Sequence, residues 1–161
     1  PDQTRVIRAM PNTPAMVLAG ATAIAAGSRA SDVDMQRAES LFAAVGSVAV
    51  VSEPLLDAVS GLSGSGPTHA MLLNEALADG AERAGLSREI ALQLAAQTLA
   101  GAAKMQLESG LHPAILRDRV TSPAGTTAAG LAALERGAAR SAIAEAVVAA
   151  AARASELGKG A

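Results

Sequence analysis

The segment Arg119-Val-Thr-Ser-Pro-Ala-Gly-Thr-Thr127 lies between two helical patterns, and the rest of the chain can be interpreted outward from it. Pro123 cannot continue a helix, because its ring carries no N–H group. Gly125 permits backbone conformations closed to other residues and allows a ligand to approach closely. Thr126 or Thr127 is then predicted to cap the next helix. Backbone N–H groups at such a helix start form a site for a carboxylate or phosphate. An ordinary capped loop explains the same residues, and on the loop alone it is the favoured interpretation.

The composition limits the classes of protein to which the chain can belong. Of its 161 residues half are hydrophobic, but Phe42 is the only aromatic one, so the core must be aliphatic. The absence of cysteine excludes disulfides and thiolate metal sites, and the net charge of −2 gives no indication of a surface for nucleic acid or membranes. No histidine and carboxylate spacing predicts a metal site. The richest apolar run, 141–152, is too short to span a bilayer, and we expect a cytoplasmic protein.

Residues 1–52 alternate between strand and helix patterns. Strands are predicted at 5–10, 21–27 and 47–52. Between the last two, Ser31 or Asp32 caps a helix that runs to about Val45, with Gly46 as its C-cap. The strands have no obvious partners of their own, and three short strands with one helix make a poor independent domain. We interpret this part as the tail of a larger α/β sheet.

From residue 55 onward the pattern is helical. Helices are predicted from 55 to 84 with a kink or break at Gly61–Pro67, from 87 to 109, from 112 to 119, from the loop to about 135, and after Gly137 to about 157. The helix at 87–109 carries few charges, and its apolar residues go nearly all the way round. A helix apolar on all sides is buried on all sides, so we expect a partner subunit to cover it.

Several motifs in order resemble one family. They are Arg5–Pro14, Gly20–Ala23, Leu56–Pro67, Glu75–Gly80, Gly101–Met105 and, most diagnostic, Leu116–Glu135. With these motifs the chain closely resembles the pyrroline-5-carboxylate reductases over essentially all its residues. The resemblance implies hydride transfer from NADH or NADPH to the C=N carbon of pyrroline-5-carboxylate, which gives proline. It also implies a homodimer of interlocked helices, with further assembly of the dimers left open.

The same resemblance supplies the expected fold class, which is mainly α. Residues 1–53 are expected to be the C-terminal part of a dinucleotide-binding (Rossmann) domain, and 54–161 a helical substrate-binding and dimerisation domain. No glycine-rich turn follows a first strand to seat a pyrophosphate. Gly61–Pro67 follows no Rossmann strand, and we interpret it as a helix–helix packing segment. We therefore expect the C-terminal part of the enzyme, inactive by itself.

The resemblance also assigns roles to residues. It implies that the substrate contacts Glu53, Val120, Ser122, Gly125, Thr126 and Thr127. It implies that the cofactor lies against Ala9, Met10, Pro11, Asn12 and Arg119. Thr127 is the predicted catalytic residue, because its hydroxyl can hydrogen-bond the ring nitrogen. A threonine hydroxyl is too weak an acid to donate the proton itself, so we expect water to relay it.

Simpler interpretations stay open for several of these residues. Ala9–Asn12 also fits a plain turn, and Glu53 a solvated carboxylate near a helix start. Arg119 stands where the family often has asparagine, and either meets a phosphate or points to solvent. His69 is interpreted as a packed or interface residue and His112 as a helix cap.

Two other functions compete with the reductase. One is a non-catalytic helical oligomerisation module, which explains the alanine-rich helices but not the segment 121–127. The other is a related imine or keto-acid reductase of the same architecture, acting on a different small carboxylate.

Overall fold

The computed structural model describes residues 4–159 of the chain. Its strands are β1 (Ile7–Met10), β2 (Gly20–Ala26) and β3 (Gly46–Val50). Its α-helices are α1 (Asp32–Ala43), α2 (Leu56–Val59), α3 (Gly66–Arg83), α4 (Arg88–Ser109), α5 (Pro113–Arg119), α6 (Thr126–Arg136) and α7 (Ala139–Lys159). Short 3-10 turns cover Thr13–Val17 and Glu53–Leu55, and a π turn covers Ser60–Gly64. The mainly α fold class is confirmed.

The described residues divide into two compact units. Those up to His69 and from Ile143 onward form one unit, and Ala70–Ala142 form the other. The predicted domain boundary at 53/54 marks a different feature, the change from strands to helices, and stays a prediction. None of the described helices is both long and apolar enough to cross a membrane.

The three strands pair with one another in the order β1-β2-β3. β1 runs antiparallel to β2, with Met10 opposite Ala23, and β3 runs parallel to β2, with Val50 opposite Ile24. The expectation that these strands lack partners was therefore wrong. β2 is the central strand, and Thr22 to Ala25 are buried within it. Ala23 and Ala25 pack with Leu56 at the start of α2 to form the core of this unit.

Helix α1 begins at a closed cap. The Ser31 hydroxyl accepts a hydrogen bond from the Asp34 N–H, and the Asp34 carboxylate accepts one from the Ser31 N–H, which together form a capping box. Arg5 forms an ion pair with the same carboxylate. The cap prediction is confirmed, but Gly46 is not the C-cap, because Ala44 holds that position and Gly46 opens β3. Gly46 has φ of +153°, and a Cβ there would overlap the Gly20 carbonyl oxygen.

The glycine-rich segment interrupts the helix, as predicted, but through a π turn. The Ser65 N–H donates to the Ser60 carbonyl five residues back, and α3 starts at the following residue. Gly61 is buried, and a Cβ built on it would lie 2.7 Å from the backbone nitrogen of Ala151 in α7. Only glycine permits this approach, so the interpretation of the segment as a helix-packing element is supported.

The second unit has a small core of alanines. Ala78 of α3 packs with Ala91 and Ala95 of α4. Arg88 at the start of α4 pairs with Asp79 and Glu82 of α3, which fixes the same two helices at the surface. Ser87 caps α4 through the Ile90 N–H, and Gly110 ends it with φ of +63°. Both ends were predicted from the sequence.

Candidate functional site

The loop between α5 and α6 starts from a hydrogen-bonded helix end. The Thr121 hydroxyl donates to the Arg117 carbonyl oxygen at 2.7 Å, and the Thr121 N–H donates to the Asp118 carbonyl at 3.2 Å. At the other end of α5, His112 Nδ1 accepts from the Ala114 N–H at 3.2 Å, so His112 is the cap that was predicted. Helix α5 is therefore closed at both ends, and the loop leaves it in a fixed direction.

The turn at the centre of the loop differs from the prediction. The left-handed residue is Ala124, with φ of 57°, whereas Gly125 has an ordinary φ of −79°. The expectation that Gly125 supplies an unusual conformation was wrong. Gly125 instead leaves room for the Ser122 side chain, because a Cβ there would overlap the Ser122 hydroxyl oxygen and make that side chain turn away. Its N–H donates to the Ser122 carbonyl at 3.1 Å, which closes the turn.

Helix α6 has an open start. Gly125 is its N-cap and has no side chain with which to accept a hydrogen bond, so the prediction of a threonine cap was wrong. The first intrahelical bond joins the Ala129 N–H to the Gly125 carbonyl at 3.2 Å. The preceding N–H groups, those of Thr126, Thr127 and Ala128, have no acceptor within an α-helix. They point along the positive end of the helix dipole, where an anion is stabilised.

Hydroxyl groups surround this open start. Ser122 and Thr126 are exposed, and Thr127 is half-buried. These groups are neutral donors, so the loop can hold a carboxylate through hydrogen bonds without placing a cation against it. Arg119 is also exposed, and the structure leaves its predicted phosphate contact as a prediction.

Val120, predicted to contact substrate, follows α5 and lines an apolar groove between α5 and the second half of α4. The groove has a volume of about 320 Å³ and is lined by alanines and by Met105, Leu116 and Val120 among others. The side chain of Val120 is 59% exposed. Its predicted substrate contact is not tested by this position.

The predicted cofactor residues Ala9 to Asn12 lie at the end of β1 and in the turn after it. Ala9 and Pro11 are exposed, and Met10 is half-buried with its methyl group against Gly64. Asn12 uses both ends of its amide inside the protein. Its Oδ1 accepts from the Ala21 N–H at 2.9 Å, and its Nδ2 donates to the Ser63 carbonyl at 3.0 Å. Asn12 therefore joins the turn to β2 and to the π turn.

Glu53 opens the 3-10 turn that precedes α2, and it is paired. Its Oε1 accepts a hydrogen bond from Arg8 Nη1 at 3.0 Å, and both side chains are about half exposed. Arg8 and Ser63 were missed by the sequence analysis. Both contacts join residues far apart in sequence, and no local pattern indicates them.

The structure groups the predicted residues in two places. Ala9 to Asn12 and Glu53 belong to the first unit, and Arg119 to Thr127 to the second. Near the end of α6, a hydrogen bond from Arg140 holds the pKa of Glu135 below its ordinary value. Within residues 4–159, no group of three histidine, aspartate or glutamate side chains is placed to hold a metal ion.

Comparison with known proteins gives the same family from sequence and from structure. Residues 53–157 match the family described as pyrroline-5-carboxylate reductase dimerisation. The chain is 55% identical over 154 residues to a pyrroline-5-carboxylate reductase from Synechocystis, covering 96% of this chain and 58% of the relative. It is 52% identical over 156 residues to one from Methanosarcina acetivorans, covering 97% and 58%.

Two solved structures are similar to the chain. A pyrroline-5-carboxylate reductase from Coxiella burnetii superposes with a TM-score of 0.93 at 44% identity, covering 96% of this chain and 58% of that one. A Plasmodium falciparum pyrroline carboxylate reductase with NADP bound gives a TM-score of 0.88 at 30% identity, covering 97% and 60%. The chain thus spans less than two thirds of the length of the relatives it matches.

Proposed function

The chain belongs to the pyrroline-5-carboxylate reductase family, and from this premise we propose that it serves the NAD(P)H-dependent reduction of 1-pyrroline-5-carboxylate to L-proline, the last step of proline biosynthesis. Its part in the reaction is to bind the substrate and to join two subunits. The observation that carries the proposal is the open start of α6, where the N-cap Gly125 has no capping side chain and the first three N–H groups have no acceptor within the helix.

The substrate is a five-membered cyclic imine with one carboxylate. The carboxylate accepts hydrogen bonds from the N–H groups of Thr126, Thr127 and Ala128 and from the Ser122 hydroxyl. The Thr127 hydroxyl donates to the ring nitrogen and orients the C=N bond. When the imine carbon receives hydride, the nitrogen takes up one proton, which reaches it through water because a threonine hydroxyl is too weak an acid.

The turn after β1 fits one end of a nicotinamide cofactor, which supplies the hydride when bound. Ala9 and Pro11 are exposed and small enough for a flat ring to lie against them. The described residues do not fit the pyrophosphate of the cofactor. Gly61–Pro67 is glycine-rich, but it forms part of the interrupted helix and contacts α7, so it is not a phosphate-binding turn. Glu53, held by Arg8, is assigned to substrate contact. The choice between NADH and NADPH is left to residues outside this turn.

The apolar surface of α4 supports a homodimer. Among the described residues of this helix, Ala91 and Ala95 alone are buried, while Leu94 is 53% and Leu107 83% exposed. An exposed apolar face of this length is typical of a protein–protein interface. A second copy of the chain is the partner, and its covering of α4 makes the subunit stable. A cytoplasmic location stays a prediction.

Binding of proline tests the proposal. Proline at ten times its Kd stabilises the folded state by about 1.4 kcal/mol and raises Tm by about 3–5 °C in a chain of this size. Thr127→Ala should remove most of this shift, while Thr68→Ala, an exposed threonine on α3, should keep it. If neither proline nor a cyclic analogue shifts Tm in the unaltered protein, the non-catalytic oligomerisation module is supported instead.

Substrate identity is tested by turnover. Because the residues present here are expected to be inactive by themselves, turnover is measured in the full-length enzyme that contains them. With NADPH or NADH, that enzyme should reduce pyrroline-5-carboxylate faster than six-membered or open-chain imines bearing one carboxylate. A preference for either of those would assign the chain to a related imine reductase of the same architecture.

A further inference from the structure

A missing backbone donor lies inside the interrupted helix. In an α-helix the carbonyl of residue 63 accepts from the N–H of residue 67, but residue 67 is a proline and has no N–H. The π turn does not supply a substitute, since the Ser65 N–H bonds to Ser60 and the Thr68 N–H to Ser65. The Ser63 carbonyl is therefore left for a donor from outside the helix.

The side chain of Asn12 is that donor. Its Nδ2 lies 3.0 Å from the Ser63 carbonyl oxygen, in a partly buried position. The other end of the same amide accepts from the Ala21 N–H of β2 at 2.9 Å. One side chain thus fastens the turn after β1 to a strand on one side and to the helix on the other. The contact of the Met10 methyl group with Gly64 lies beside this bond.

We propose that Asn12 is a positioning residue, whose amide replaces the N–H that Pro67 lacks and so holds the end of β1, with Pro11 beyond it, in place for the reaction. The inference rests on the proposed function, because Ala9–Pro11 are assigned there to the nicotinamide end of the cofactor. Asn12 acts through the turn, since both ends of its amide are bonded within the protein.

A double-variant cycle tests the donor replacement without any reaction. Asn12→Ala should lower the folding equilibrium constant about tenfold, because the Ser63 carbonyl loses its partner. In Pro67→Ala the helix regains its own N–H, so adding Asn12→Ala should lower the constant only about threefold. The constants are measured by denaturant unfolding at one fixed protein concentration. If the two substitutions act independently, the proposal is overturned.

Hydrogen exchange separates positioning from stability. The amides of Ala15, Leu18 and Ala19 are bonded within the turn after β1. They should exchange about tenfold faster in Asn12→Ala and remain fast in Asn12→Ala/Pro67→Ala, because the turn stays unfastened although the carbonyl is satisfied. Asn12→Asp, which keeps an acceptor for Ala21 and loses the donor to Ser63, should also exchange faster. Unchanged exchange in Asn12→Asp would contradict the proposal.

Turnover of pyrroline-5-carboxylate supplies the functional readout, and it is measured in the full-length enzyme that contains these residues, because the chain is expected to be inactive by itself. The kcat of Asn12→Ala/Pro67→Ala should stay about tenfold below that of Pro67→Ala, although most of the stability has returned. If kcat recovers together with stability, Asn12 has a structural role only and the proposal fails. If the unaltered protein reduces no such imine, the proposed function fails, while the cycle and the exchange rates still decide the role of Asn12 in the turn.

Discussion

Helices α1 and α6 begin in opposite ways. At α1, the Ser31 hydroxyl and the Asp34 carboxylate satisfy each other's backbone N–H groups, and Arg5 adds an ion pair. At α6, Gly125 offers no side chain, and the hydroxyls nearby leave the first N–H groups without a cap. A closed start stabilises the helix, whereas an open start leaves donors for something else to bind. The difference separates a structural helix end from the helix start that we propose as the ligand site.

Filling the open start should have the largest effect. Gly125→Val places side-chain atoms against the Ser122 hydroxyl, which must turn away, and beside the first N–H groups of α6, where they occupy the space that a carboxylate needs. We expect the Tm shift caused by proline to disappear, as measured by thermal unfolding with and without the ligand.

Gly130 provides the matched control in the same helix. A Cβ there meets no atom within 4 Å, and alanine is the better helix former by about 1 kcal/mol. Gly130→Ala should therefore raise Tm and keep the shift caused by proline. A Gly125→Val protein that still responds to proline would show that the open start of α6 is not the binding site.

Opening the closed start should have a smaller effect, confined to stability. Ser31→Ala removes the hydroxyl that accepts from Asp34 and should lower the free energy of unfolding by about 1 kcal/mol. Denaturant unfolding measures the loss, and the proline shift should be unchanged. Ser40→Ala is the control, because the Ser40 hydroxyl bonds only to a carbonyl within the same helix. An equal loss of unfolding free energy in Ser31→Ala and Ser40→Ala would mean that the Ser31 cap contributes no more than an ordinary serine within a helix.

Acid should reduce the difference in free energy of unfolding between the parent protein and Ser31→Ala. The hydrogen bonds from the Ser31 side chain and backbone, with the charge of Arg5, hold the pKa of Asp34 below its ordinary value of 3.8. A lowered folded-state pKa contributes stability above the unfolded value, and that stability is lost as the pH falls through the folded value. Because Ser31→Ala removes one of these hydrogen bonds, its free energy of unfolding should decrease less than that of the parent as the pH falls below about 4. Unfolding curves measured at several pH values test this expectation. If Asp34 does not contribute, the difference in free energy of unfolding between the two proteins will not change with pH.

The smallest effect is expected near the far end of α6. Arg140 lowers the pKa of Glu135 mainly through a hydrogen bond between two exposed side chains. Arg140→Gln should raise that pKa toward its ordinary value of 4.5, with little change in stability because exposed ion pairs contribute little. Titration of the Glu135 carboxyl carbon by NMR measures the change. An unmoved pKa would show that the pair does not form in solution.

What the sequence predicts well depends on how local the cause is. Ser31, Ser87, Gly110 and His112 mark helix ends through contacts with residues at most four positions away, and the structure confirms all four. The choice between Gly125 and a threonine as N-cap was missed, because it depends on the exact shape of the turn at Ala124.

Contacts between distant parts of the chain had no signal in the sequence. The pairing of the three strands and the Arg8–Glu53 pair are of this kind. The bond from Asn12 to Ser63 is the informative case. Pro67 predicts that one helical carbonyl lacks its usual N–H donor. No local pattern indicates which side chain donates to that carbonyl in its place.

The contact of Gly61 with Ala151 has a consequence for the order in which the protein is made. Gly61 precedes Ala70–Ala142 in the sequence, while the helix it touches follows them, so that helix is synthesised only after the whole of the second unit. The first unit therefore cannot close before the second has been synthesised, and the helix surface around Gly61 stays uncovered during that time. Such late closure favours slow folding and recruits chaperones to a nascent chain.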